Sequence, residues 1–111
     1  MDGEEREETW SDFRELVNMT PADLERWLES DDSQSAGQHQ DGGESIGHAS
    51  GRRIVAILRA KKGELTDDDY QHMRKVVGYV RRHLAQRPSG DVRDSRWRHS
   101  LMNWGHDPLG G

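Results

Sequence analysis

The chain has no cysteine, only three prolines in 111 residues, and 6% aromatic residues. Without cysteine there is neither a disulfide framework nor a thiolate metal site. No apolar run approaches the roughly 20 residues of a membrane-spanning helix, and no leader of secretory type opens the sequence. The expectation is a cytoplasmic protein without membrane contact. Hydrophobic residues are also sparse, 31% against 33% charged, which sits at the lean end for a globular core.

Charge is plentiful, and unevenly placed. Met1 to Glu44 holds 14 acidic and 3 basic residues, a balance of −11, whereas Ser45 to Gly111 holds 7 and 13, a balance of +6, within a total of −5. The chain is an acidic front on a basic body.

The apolar residues recur at helical spacing. In the stretch Gly47 to Arg87, Tyr70, Met73, Val77, Val80 and Leu84 follow alternating steps of three and four with Val76 beside them, a stripe about 120° wide on one helix. Thr66 can cap that helix, Asp67 to Asp69 place negative charge on its first turn, and Leu65 and Tyr70 stand where a hydrophobic staple would. Ile54, Ile57 and Leu58 give the preceding helix its face, with Lys61 and Lys62 in its last turn and Gly63 to close it. A link as short as Gly63 to Thr66 makes the two helices antiparallel neighbours. Gly78, on the flank of the longer helix, invites close approach of another segment.

Residues 1–8 read as a disordered acidic arm. Residues 9–29 form a helical pair: Trp10, Phe13, Leu16 and Val17 in a first helix ended by Asn18, then Leu24, Trp27 and Leu28 in a second that Thr20 caps, with Pro21 at its first position and a Met19–Leu24 staple. Residues 30–45, rich in Ser, Asp, Gln and Gly, read as a flexible linker or loop. After the basic hairpin at 46–87, residues 88–111 carry a last helix beginning near Asp94 or Ser95, with Trp97, Leu101 and Trp104 at i, i+4 and i+7, closed by Gly105 and followed by a tail. The expected fold is all-α, one small domain of about five helices around a central antiparallel hairpin, with no sheet.

Several groups bear on chemistry. Opposite the apolar stripe of the long helix, His72, Lys75, Tyr79, Arg82, His83 and Gln86 lie within about 100° of one another. Such a basic face with an aromatic ring and an amide suits phosphate contact plus base or sugar contact, although a solvated face also keeps a small domain soluble. Together with basic residues of the same half, the expected nucleic-acid contacts are Arg52, Arg53, Arg59, Lys62, His72, Lys75, Tyr79, Arg82, Arg96 and Arg98.

Gly47, Ser50 and Gly51 ahead of Arg52 and Arg53 fit either a phosphate-accepting helix start or a plain serine-capped one; the spacing is not that of a Walker motif. None of the six histidines, His39, His48, His72, His83, His99 and His106, shares a helical turn with another, so a metal site would need separate helices and a carboxylate such as Asp107. No metal or cofactor is expected. His99, Asn103, His106 and Asp107 include nuclease-like residue types without a nuclease pattern. Trp97 and Trp104 suit base stacking or, with Leu101, a core. No nucleophile, base and orienting group stand together, so no enzyme is expected.

The segments GESIGHASGRRIVAILR, KKGELTDDDYQHMRKVVGYVRRHLAQRP and WRHSLMNWGHDPL resemble a family of small, uncharacterised microbial proteins often labelled "DNA-binding protein". The likeness covers about Trp10 to Leu109 and implies a binding class, without catalytic residues. TPADLERWL followed by a loop and GRRIVAILR bears a fainter resemblance to helix-loop-helix DNA-binding modules of the SAP and LEM type. The resulting expectation is a protein that binds DNA, as a duplex, mainly through backbone phosphates. The alternative is a protein-interaction or homo-oligomerisation module whose two charge halves meet across a partner.

Overall fold

The computed structural model describes residues 2–36 and 45–110; the expectations placed on His39 and on residues 37–44 of the linker lie outside them. Among the described residues there are six α-helices, α1 (Gly3–Leu16), α2 (Pro21–Leu28), α3 (Asp31–Ser35), α4 (Ile46–Arg59), α5 (Asp67–Leu84) and α6 (Arg96–Asn103), with a 3-10 turn at Lys62–Glu64 and no strand. Side-chain oxygens start them. Thr20 accepts from the Asp23 N–H at 3.1 Å, Ser45 from His48 at 3.0 Å and Ser95 from Arg98 at 3.1 Å. At α5 the capping box is complete, since Thr66 accepts from Asp69 N–H at 3.2 Å while the Asp69 carboxylate accepts from Thr66 N–H at 3.0 Å. Each cap satisfies an N–H that the helix itself cannot.

Four expectations change. Residues 1–8 do not form a loose arm: α1 begins at Gly3, capped by Asp2, because its charges have partners on the body. Arg6 pairs with Asp67, Glu7 with Lys62 at 2.7 Å and Glu5 with Arg74 at 4.0 Å, and Arg6 and Lys62 lie over the rings of Tyr70 and Trp10. Within the anticipated linker, residues 31–35 are the short helix α3, capped by Ser30. Gly63 does not close α4, which ends at Arg59 with Ala60 extended (ψ 153°); Gly63 lies in the 3-10 turn, and among the described residues the left-handed glycines are Gly90 and Gly105. Gly78 admits no other segment, since the nearest atom to a Cβ built there is the Arg82 guanidinium of its own helix at 3.1 Å.

Partner choice follows from these cross-links. Glu5–Arg74 and Asp12–Arg81, the latter at 3.5 Å, each advance seven residues in the same sense, so α1 runs parallel to α5, and α1 is the main partner of α5. Ser50–His72 and Arg53–Asp69 run in opposite senses, as an antiparallel α4–α5 pair requires. The larger face of α4 packs instead on α2, tied by Arg59–Glu25 at 2.5 Å and by the His48 ring at 2.6 Å from the Leu28 carbonyl oxygen. Helix α6 lies against α2, α3, α4 and α5. The apolar side chains buried most completely, Phe13, Leu24, Ile54, Ile57, Met73, Val76, Val80 and Leu101, come from five of the six helices, so the basic half shares its core with the acidic front.

Candidate nucleic-acid interface

The side of α5 next to its apolar stripe is the seam on which α6 lies. His72, Tyr79 and His83 of α5 meet Trp97 of α6 and Trp104 at its C-cap in a run of nearly parallel rings. His72 and Trp104 have centroids 6.4 Å apart at 11°, Trp104 and Tyr79 4.2 Å at 15°, Tyr79 and His83 5.2 Å at 17°, and His83 and Trp97 6.3 Å at 17°. Offset ring pairs at such distances are favourable beyond the area they bury. The indole N–H of Trp97 also donates to the His83 carbonyl at 2.6 Å. Trp97 and Trp104 are core residues, and His72 and Tyr79 are half-buried members of this seam rather than free rings on a solvated face.

The small residues of α4 make room for α6. A Cβ at Gly51 would stand 2.5 Å from the Asn103 carbonyl oxygen and 2.7 Å from Leu28, and one at Gly47 would stand 3.1 Å from the Trp104 indole nitrogen. Gly47, Ser50 and Gly51 are therefore buried by packing, and the helix start is a serine cap at Ser45; no phosphate reaches that trio. Asn103, which is 1% exposed, makes three hydrogen bonds to two neighbours. Its side-chain oxygen accepts from the Trp27 indole at 2.8 Å and the Ser33 hydroxyl at 2.5 Å, and its amide donates to the Ser33 carbonyl at 3.0 Å.

Many of the anticipated cationic contacts are engaged within the fold. Arg53 faces Asp69 at 3.5 Å, Arg59 Glu25 at 2.5 Å and Lys62 Glu7 at 2.7 Å. Arg98 grips Asp107 with two hydrogen bonds of 3.0 Å and donates to the Arg93 carbonyl at 2.8 Å, stapling α6 to the chain end. Arg52 is exposed on α4.

Lys75, Arg82 and Arg96 differ. All three are exposed and line one open cleft of about 640 Å³ beside the ring seam. Ala36, Ile46, Tyr79, His83, Ser100 and Trp104 contribute to the same wall, and among the described residues none that lines it is acidic. Arg96 donates to the Ser35 carbonyl at 3.4 Å; among the described residues Lys75 and Arg82 have no carboxylate partner. His83 stands on the expected basic face and Trp104 among the rings expected to stack or to join the core, whereas Ile46 and Ser100 are lining residues that no sequence pattern singles out. The matching seven-residue spacings of Tyr79 to His72 and of Trp104 to Trp97 are the signal that the rings meet.

The titratable rings are kept neutral. Burial, then the nearby charges of Arg53 and Lys75, push His72 down to about 4, against a hydrogen bond to Ser50. Burial also lowers His83 and raises Tyr79, the latter against its hydrogen bond to Ser100 and the charge of Arg82. The positive charge lining the cleft therefore comes from Lys75, Arg82 and Arg96. Such a wall can hold an anion with an apolar or aromatic body. Among the described residues no group of three or more His, Asp or Glu is placed to hold a metal, and no helix is long and apolar enough to cross a membrane.

Among the described residues the chain is all-α, with a cleft lined by Lys75, Arg82, Arg96 and aromatic side chains at the meeting of α4, α5 and α6. By its sequence the chain belongs to the family described as "Protein of unknown function (DUF3140)", whose model matches residues 12–102. No curated protein and no solved structure matches the chain, so the likeness to SAP and LEM modules gains no structural relative.

Proposed function

We propose that this is a cytoplasmic DNA-binding protein that meets the phosphate backbone with the exposed face formed by α5 and α6. The observation that carries the reading is the placement of Lys75, Arg82 and Arg96 around a cleft that has no carboxylate in its lining among the described residues. Cations already held by Asp or Glu gain less from a phosphate, because a partner must first be given up; Lys75 and Arg82 have none to release among the described residues. Arg52 extends the positive surface onto α4. Contacts of this kind give salt-dependent affinity with little sequence preference.

The acidic front bears on the alternative. Its carboxylates pair with Lys62, Arg74, Arg81 and Arg59 within one chain, so charge complementarity needs no second copy. The test is a gel shift of duplex DNA across a salt series. Wild type is expected to bind at low salt, with log affinity falling against log salt at about 0.9 per phosphate contact. Lys75→Glu with Arg82→Glu should flatten that slope by about two contacts. Absence of any shift at low salt, with the reversals altering self-association in sedimentation instead, would replace this reading by the interaction module.

A further inference from the structure

We infer that the cleft between α5 and α6 seats one unpaired nucleotide, its base within and its phosphate at Lys75, Arg82 and Arg96. The inference rests on the DNA-binding reading for its cationic rim and extends it to the kind of nucleic acid preferred.

A surface that only follows a duplex backbone needs cations on an open face and no depth. Here the cations surround a recess of about 640 Å³ whose wall is partly aliphatic and aromatic, from Ala36, Ile46, Tyr79 and Trp104. That size falls within the range of small-ligand pockets. Apolar lining below a cationic rim matches a nucleoside monophosphate unit, which joins a flat, weakly hydrated base to a charged group. Polar groups for the base edge are present. The Ser100 hydroxyl lines the recess, and so does His83, whose Nε2 is buried without a hydrogen-bond partner among the described residues. A neutral imidazole nitrogen can serve a base edge as donor or acceptor according to its tautomer. Bases inside a duplex are stacked and paired and cannot enter such a recess, whereas those of a single strand can. The recess should therefore favour single-stranded over duplex DNA.

Ile46 gives a way to close the recess without touching its charge, because it lines the cleft and is 46% exposed, so Ile46→Trp fills space while leaving Lys75, Arg82 and Arg96 in place. Anisotropy of a short labelled single strand and of the matching duplex is measured at one salt concentration, with free thymidine monophosphate as competitor. The expected result is about tenfold tighter binding of the strand, the scale of seating one base, with competition by the free nucleotide. Ile46→Trp should remove the preference and the competition while leaving duplex affinity unchanged. Duplex binding with no strand preference and no competition overturns the inference and leaves the backbone reading standing. Binding of the free nucleotide without either polymer upholds the nucleotide site and overturns the DNA reading. Failure of all three ligands overturns both. The comparison of ligands on wild type decides the matter even if the Ile46 variant does not fold.

Discussion

The Ser50 hydroxyl lies 2.9 Å from Nε2 of His72, joining the interior of α4 to α5 at the ring that stacks on Trp104. Burial and two neighbouring cations, acting against this bond, keep the half-buried imidazole neutral. Burial first, and Arg53 and Lys75 next, bring His72 to about 4, against about 6.5 in an unfolded chain. Between those values the unfolded chain binds more protons than the folded one, so this contribution to stability is complete above about pH 6.5 and is lost as pH falls toward 4. Urea midpoints should drop from about pH 7.5 to about pH 5, and the drop should be smaller in His72→Gln. An unchanged drop in the variant would assign the effect elsewhere, His83 being the next group with the same sign.

Two glycines on neighbouring helices should respond to alanine in opposite directions. At Gly51 the new methyl would overlap the Asn103 carbonyl and Leu28, so Gly51→Ala should destabilise by about 1–3 kcal/mol, the usual cost of overpacking. At Gly78 it would meet only the mobile tip of Arg82, and Gly78→Ala should stabilise α5 by about 0.5–1 kcal/mol. Denaturant titration of both variants measures the pair.

Removal of the Asn103 side chain leaves the Trp27 indole N–H and both Ser33 groups without their partner. Asn103→Ala should cost about 2–4 kcal/mol, since each buried orphan costs about 1–3 and Trp27 can recover water. Trp27 fluorescence should shift to the red in the folded variant as α3 loosens. A blue-shifted or unchanged spectrum would show that α3 is held by other contacts.

Val77 is 7% exposed in the apolar stripe of α5, and Lys75 stands on the exposed side. Val77→Asp should unfold the protein, because a buried unpaired carboxylate costs several kcal/mol, comparable with a small domain's whole stability. Lys75→Glu should leave the circular dichroism melt within about 0.5 kcal/mol of wild type.

What could be read from sequence was what is local. Thr20, Thr66 and Ser95 announced their helices because a cap acts over three residues, and the stripe from Tyr70 to Leu84 is a periodicity within one helix. Partner choice was hidden: Glu5 and Arg74 are 69 residues apart, and no local pattern says that an acidic stretch will find cations there. The basic face of α5 was read as one surface, yet His72, Tyr79 and His83 turn to α6 while Lys75 and Arg82 remain in solvent. The rings of α6 decide that division, and they lie in another segment. Gly47 and Gly51, four apart on one helix face, fitted a phosphate site as well as a packing face; only the presence of Asn103 and Trp104 above them distinguishes the two.

The parallel pairing of α1 with α5 also sets the order in which the molecule can be completed. Helix α1 leaves the ribosome before α5, and the surface it covers is made some fifty residues later, so a loop of that length must close before Phe13 is buried. Closure entropy grows only slowly with length, yet distant contacts of this kind slow folding relative to a bundle of sequential hairpins. Helix α1 thus waits for α5 to be enclosed, and a chain arrested before α5 would expose Trp10 and Phe13 to whatever binds nascent apolar segments.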